Sequence, residues 1–241
     1  AGRRGLEGGV SRAQEVAAGL ARVQRRIAEA CDDADRDPAE VTLVVVTKFF
    51  PATDVRILAD LGVVHVGENR HQEAEAKVAE CADLALTWHF IGGLQSNKAA
   101  AVASYADVVE SVDRAKLVGP LHRGAHARDH RVDVLLQVSL DPPGRAGRSG
   151  CAPAALPALA AVVEEAGMLD LRGLMAVAPL GEDPRPAFDR LAEIRAEFVV
   201  DHPRATWLSA GMSGDLEHGV RIGATHVRVG SAVLGSRPQV Q

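Results

Sequence analysis

Lys48 is the first residue whose type and place could do chemistry. It directly follows residues 41–47 (VTLVVVT), a run that is almost wholly apolar and β-branched. A lysine there has its stem buried near the end of the run. Partial desolvation lowers an amine's pKa and leaves a neutral nucleophile able to form a Schiff base with a carbonyl compound. The plainer alternative is a lysine that snorkels to solvent. Two stretches rich in glycine and serine follow much later, residues 209–214 (SAGMSG) and the pair Gly230-Ser231. Small residues let backbone amides approach a phosphate and hydroxyls add donors, although the same residues also serve simply as turns. Arg228 lies between Val227 and Val229, so strand alternation turns it toward the interior if the valines face helices. A guanidinium there needs an anion, either a ligand's or that of Glu68 or Glu110 in an internal salt bridge. His89, between Trp88 and Phe90, either lines the same site or fills the core with its donor satisfied.

These residues need elements to position them. Val16, Leu20, Val23 and Ile27 recur at helical steps, which predicts an amphipathic helix over 10–30 with Arg12, Glu15, Arg22, Arg25 and Arg26 solvated. Eight strand-like runs follow, at 41–47, 63–67, 88–91, 108–112, 132–140, 171–177, 207–209 and 226–229. The stretches between them read as helices, and Asp183-Pro184 suits a cap followed by proline at the first helical position. Phe188, Leu191, Ile194 and Phe198 mark the apolar face behind it. Eight strands alternating with helices predict an α/β fold, a single (β/α)8 barrel with an additional N-terminal helix; an open doubly wound sheet is the alternative. Residues 1–9 read as a flexible tail and 10–241 as one barrel domain. Residues 142–150, rich in proline and glycine, read as a loop after the fifth strand.

Composition narrows the function. With 241 residues, 47% of them apolar, the chain can bury a large core, and with five Phe, two Trp and one Tyr that core must be aliphatic. The net charge of −5 and the lack of a basic block speak against nucleic acid or a membrane surface as partner. Cys31, Cys81 and Cys151 are too widely spaced for a zinc site or disulfide framework and suit a reducing cytoplasm. His122 and His126 sit four apart in an arginine-rich stretch that reads as a solvated helix end, not a metal site. The chain opens on Ala1, with no apolar segment behind Arg3-Arg4 to make an export signal.

In α/β barrels the active site lies where the strands stop. Those ends carry Lys48, Glu68-Asn69, Met175, Ser209 to Ser213, and Arg228 to Ser231. A lysine, two phosphate-type loops and an inward arginine at one mouth describe a site for pyridoxal 5′-phosphate. Seven motifs then occur in order: Val46-Thr47-Lys48, Gly67-Glu68-Asn69, residues 88–92 (WHFIG), residues 95–98 (QSNK), residues 171–175 (LRGLM), residues 208–213 (LSAGMS) and residues 227–231 (VRVGS). In these the chain resembles the pyridoxal phosphate homeostasis protein family, also called the YggS/PROSC family, from the first helix to Gly235. The resemblance implies the barrel of the alanine racemase N-terminal domain, with the cofactor held as an aldimine on Lys48. It implies that Ser209, Gly211, Met212, Gly230 and Ser231 hold the phosphate and that Asn69 and Met175 line the ring. Arg228 would lie by the ring nitrogen or the phosphate, and His89 completes the expected cofactor-binding set. Two departures stand out. Family members often carry Ser-Lys-x-Gly after the fifth strand, where this chain has Arg148 before Ser149-Gly150. Phe49-Phe50-Pro51 replaces a polar residue and proline after the lysine, making the wall more apolar.

The same resemblance bears on turnover. Racemases of this barrel type need a second base, in alanine racemase a tyrosine from a separate β domain. The sequence stops soon after the eighth strand, and its one tyrosine, Tyr105, falls elsewhere. The expectation is therefore a protein of intracellular vitamin B6 homeostasis, holding its cofactor with weak or no turnover. It would be a cytoplasmic monomer without metal or nucleic acid, its recipients being apoenzymes that use the cofactor. The alternative is a pyridoxal phosphate-dependent amino-acid racemase or lyase; a barrel with another phosphate ligand is a third.

Overall fold

Residues 42–46 are apolar or β-branched throughout, as in a strand buried on both faces of a parallel sheet. They form β1 (Thr42–Val46). In the computed structural model, which describes residues 10–142 and 149–236, seven more strands follow. These are β2 (His65–Glu68), β3 (Thr87–Phe90), β4 (Val108–Val112), β5 (Val132–Gln137), β6 (Leu169–Met175), β7 (Trp207–Ser209) and β8 (His226–Val229). Each pairs in parallel with the next and β8 returns to β1, so the sheet is a closed barrel in chain order. That closure meets the expectation of a barrel and removes the open-sheet alternative. The fifth run is shorter than expected: beyond Gln137 only a bridge from Val138 to Cys151 continues it. The expected tail over 1–9, and residues 143–148 with Arg148, lie outside the described residues.

The outer layer is α2 (Ala52–Asp60), α3 (His71–Glu80), α4 (Ser96–Ala103), α5 (Val118–Arg128), α6 (Leu156–Glu164), α7 (Pro184–Asp201), α8 (Leu216–Arg221) and α9 (Ser231–Leu234), preceded by α1 (Arg12–Asp33). Asp183 caps α7 by accepting the Arg185 amide. The main core lies between sheet and helices, with Val45, Leu136, Leu174 and Leu208 facing Phe188 and Leu191. Inside the barrel Val108, Leu135 and Met175 form a small apolar cluster. Glu110, His89, Ser209, His226 and Arg228 are also buried, each at 5% exposure or less.

The N-terminal helix does more than cover the barrel. Its apolar stripe, Val16, Leu20, Val23 and Ile27, is buried as expected, and it packs on α8 and α9, the helices that follow β7 and β8. Arg22 and Arg25 are exposed, but Arg12 and Arg26, expected to be solvated, are half-buried and make tertiary bonds. Arg12 donates to Asp54 at 2.7 Å and to the Leu234 carbonyl at 2.9 Å. Arg26 donates to Glu217 and, at 3.0 Å, to the Ser213 carbonyl. Arg36, just past α1, bonds the carbonyls of Val220 and Ala224. Carbonyls at a helix C-terminus lack intrahelical partners, and guanidinium groups at the edge of the apolar stripe reach them. Periodicity marks the buried face of a helix but not the reach of its edges.

The contact between α1 and α9 has almost no slack. A Cβ on Gly19 would stand 2.1 Å from the Val233 carbonyl oxygen. Gly19→Ala is therefore expected to cost about 1–3 kcal/mol as α1 is pushed off α9. Urea denaturation measures it, and an unchanged midpoint would show that the helix pair is not held this closely.

Candidate functional site

The ends of β1, β3, β7 and β8 surround a cavity of about 330 Å³ whose wall includes Lys48, Phe49, Phe50, Met212, Arg228 and Ser231. Lys48 arrives there because Val44, Val45 and Val46 are buried and the chain turns immediately after Thr47. The Phe50 amide bonds back to the Thr47 carbonyl at 3.0 Å, closing a four-residue turn with Lys48 and Phe49 at its corner. Phe49 takes φ 70°, a left-handed conformation that glycine usually supplies at the third place of such a turn. Lys48 Nζ lies 6.0 Å and the Arg70 guanidinium 5.2 Å from its ring centre. The chain has four lysines, Lys48, Lys77, Lys98 and Lys116, and Lys48 alone of these lines the cavity.

Of the ten residues expected at a cofactor site, Lys48, Met212, Arg228, Gly230 and Ser231 line this cavity. Asn69, His89, Met175, Ser209 and Gly211 are not in its wall. The Asn69 carbonyl is packed against Gly92, where a Cβ would come within 2.1 Å of it. Met175 belongs to the apolar cluster inside the barrel. Gly211, at φ 96°, presents its carbonyl to the Arg228 amide at 2.9 Å. The Met212 amide is committed to Asp215 at 2.6 Å. Phe49 and Phe50 do make the wall apolar, as their types imply, and Ile91, Ser213 and Gly214 add to it.

Arg228 does point inward, and it finds partners there. Nη1 donates to Ser209 Oγ at 2.6 Å and Nη2 to the Ala176 carbonyl at 2.9 Å. Ser209 Oγ in turn donates to Glu110 Oε2 at 2.6 Å, and Glu110 stands 3.8 Å from the guanidinium. The internal salt bridge left open by the sequence is thus with Glu110, while one face of Arg228 still borders the cavity. Burial alone would raise the Glu110 pKa. The hydrogen bond and charge of His89, the charge of Arg228 and the Ser209 hydroxyl outweigh it and hold that carboxyl down to about 2. Since Glu110 is a carboxylate, His89 Nδ1, 2.7 Å away, is the donor between them. His89 Nε2 then meets His65 Nδ1 at 3.0 Å, so His89 fills the interior within a hydrogen-bonded chain.

Glu68, the other candidate partner, belongs to a second network. It is one residue past Gly67, so it faces α3 instead of the interior. Its Oε1 accepts from Thr47 Oγ1 and from Lys77 Nζ, both at 2.5 Å. Lys77, 4% exposed, also donates to the Thr47 carbonyl at 2.9 Å and to Glu73 at 3.2 Å. Glu73 accepts the Phe49 amide. Burial raises the Glu68 pKa in spite of Lys77. This cluster is not legible from sequence, because Glu73 and Lys77 four apart on a helix read like an exposed surface pair.

Other chemistry-bearing groups lie elsewhere. Tyr105 is buried, its hydroxyl 3.4 Å from His71, and it does not line the cavity. Cys31, Cys81 and Cys151 are buried free thiols, that of Cys151 pushed up by burial to about 11. Among the described residues no group of His, Cys, Asp and Glu is placed to hold a metal ion, and no helix is long and apolar enough to cross a membrane.

Comparison with known proteins gives the family and the fold. Residues 19–238 match the family model described as alanine racemase, N-terminal domain. The chain is 44% identical over 243 residues to the pyridoxal phosphate homeostasis protein of Mycobacterium tuberculosis, with 94% of each chain covered. It is 44% identical over 228 residues to the protein of the same name from Pseudomonas aeruginosa, covering 92% of this chain and 96% of that one. Among solved structures, PipY of Synechococcus elongatus with PLP bound superposes with a TM-score of 0.79 at 37% identity, covering 91% of this chain and all of PipY.

The interior network carries a pH signature. Burial lowers the His226 pKa to about 4 from 6.5. Between those values the unfolded chain binds a proton that the folded one does not. The contribution to stability is therefore complete above pH 6.5 and declines by about 1.4 kcal/mol per unit as pH falls toward 4. His65, also lowered by burial, acts in the same direction. Glu110, held at about 2 against an ordinary 4.5, loses its contribution only as pH falls from 4.5 through 2. Urea unfolding at pH 7, 6 and 5 should show the decline, flattened by about one proton in His226→Asn; an equal slope in the variant would contradict the assignment.

Proposed function

The chain belongs to the pyridoxal phosphate homeostasis protein family, on the barrel of the alanine racemase N-terminal domain, and from this premise we propose that it binds pyridoxal 5′-phosphate at the Lys48 cavity. The cofactor is held there as a Schiff base for safe keeping and delivery, in vitamin B6 homeostasis. The observation that carries this reading is that Lys48, of four lysines, lines a small cavity together with Arg228 and the loops after β7 and β8.

The residues suit the group. A cavity of about 330 Å³ is at the small end of ligand sites. Lys48 supplies an amine for the aldehyde. Ser213, Ser231 and the glycines beside them offer hydroxyls and close backbone approach for the phosphate. A Cβ on Gly230 would already stand 3.0 Å from the Val46 carbonyl oxygen. Arg228 is a fixed buried cation; where such a group faces a pyridine nitrogen it disfavours ring protonation and weakens the ring as an electron sink. Ser209 accepts from it directly, and His89 acts on it through Glu110. Gly211, Asn69 and Met175 shape the backbone and packing around the mouth.

Holding instead of turnover is supported by the wall itself. Apart from Lys48, the residues lining the cavity among those described include no carboxylate, imidazole, phenol or thiol. Proton removal on one face of the cofactor with return on the other needs a second acid or base. In the same reading the protein is a cytoplasmic monomer whose recipients are apoenzymes that use the cofactor. The buried unpaired cysteines accord with a reducing compartment.

The test is a titration with pyridoxal 5′-phosphate followed by absorbance. Wild type should develop the band of a protonated imine and Lys48→Ala should not. Pyridoxal, without the phosphate, should bind at least about 100-fold more weakly, since charged hydrogen bonds contribute about 1.5–3 kcal/mol each. Loaded protein should leave the α-proton of added amino acids in place. A band in both proteins would remove Lys48 from the role, and rapid α-proton exchange would make the protein a racemase or lyase.

A further inference from the structure

We propose that Glu73 and Lys77 of α3 are positioning residues for Lys48, acting by clamping the strained turn that presents its amine to the cavity. The inference rests on the pyridoxal phosphate reading and adds to it the part of the chain that sets the geometry of the amine.

The turn over residues 47–50 has to be held. A left-handed non-glycine residue such as Phe49 costs about 1–3 kcal/mol and persists only where its surroundings over-determine it. Both peptide groups flanking Lys48 are gripped by the same cluster. On the N-terminal side, the Thr47 carbonyl accepts Lys77 Nζ at 2.9 Å while the Thr47 hydroxyl donates to Glu68 at 2.5 Å. On the C-terminal side the Phe49 amide donates to Glu73. Lys77 joins the two sides, contacting Glu68 at 2.5 Å and Glu73 at 3.2 Å. A lysine nearly closed off from solvent, in contact with two carboxylates, is costly to build. Lys77 bonds Thr47 on one side of Lys48 and reaches Phe49 on the other only through Glu73, and none of Glu68, Glu73 and Lys77 lines the cavity. Release of the clamp lets Phe49 relax toward negative φ, which turns the Lys48 stem away from its present direction.

The step concerned is simple. The neutral Lys48 amine adds to the aldehyde carbon, a C=N bond replaces C=O, and one water leaves. Its rate depends on how the amine is aimed, and a displacement of about 1 Å can cost about 100-fold. Non-covalent filling of the cavity does not depend on that aim.

Two probes separate these effects. Pyridoxal 5′-phosphate reports imine formation through its absorbance, and 4′-deoxypyridoxine 5′-phosphate, which lacks the aldehyde, reports filling of the cavity alone. In Glu73→Ala the rate of imine formation at saturating pyridoxal 5′-phosphate should fall by about 10- to 100-fold. Affinity for the deoxy analogue should stay within about twofold of wild type, because no cavity residue is changed. Glu73→Gln keeps an acceptor for the Phe49 amide and should recover most of the rate. Wild-type rates in Glu73→Ala would overturn the proposal. So would equal losses for both probes in Glu73→Ala and Glu73→Gln, which would mark the cluster as a structural support only. Failure of the underlying reading looks different, because wild type itself would then form no imine.

Discussion

Short strands in a closed barrel give each side chain only two directions, and that constraint decides which charges meet. Arg228 and Ser209 face inward, so both join Glu110 inside the barrel. Thr47 and Glu68 face outward, so they meet Lys77 from α3. Lys48 escapes the choice because it is the first residue of the turn beyond the strand, where it can present its amine at the mouth. The cavity is thus bordered by two polar networks, one under its floor through Arg228 and one behind its wall through the turn.

Neither network is cheap. Buried charges give up hydration, and apolar residues of similar volume often serve stability as well or better. What the networks supply is direction. A guanidinium bonded to Ser209, to the Ala176 carbonyl and near Glu110 has little freedom, and a turn gripped on both sides keeps a left-handed phenylalanine in place. The arginines of α1 and its C-terminal end extend the same principle outward. Arg26 fixes the loop after β7, Arg12 the end of α9 and Arg36 the end of α8. In the proposed role, holding a reactive aldehyde without using it, the site needs this rigidity more than it needs further acids and bases.

Much of this was legible in the residues. Eight apolar runs with intervening helical stretches were enough for the barrel, because buried parallel strands carry a distinctive composition. The inward direction of Arg228 followed from Val227 and Val229, and Lys48 from its place after the first strand. The choice between Glu68 and Glu110 was not legible, since it depends on which face of β2 carries Glu68 and on β4 meeting β8 across the barrel, strands that are distant in sequence. Glu73, Lys77, Arg26 and Arg36 were missed for a related reason. On a helix wheel Glu73, Lys77 and Arg26 look solvated, Arg36 lies just past a helix, and only the packing of those helices on their neighbours shows what each side chain reaches. Asn69, His89, Met175, Ser209 and Gly211, which the resemblance or the residues assign to the cofactor, do not line the cavity.

The central claim is that Lys48 carries the cofactor, and chemical trapping tests it most directly. The protein loaded with pyridoxal 5′-phosphate is reduced with borohydride, digested, and its peptides are mapped by mass spectrometry. The account predicts a stable pyridoxyl phosphate adduct on Lys48, with Lys77, Lys98 and Lys116 unmodified. An adduct centred on Lys98 or Lys116, or spread evenly over the exposed amines with Lys48 left clear, would contradict it.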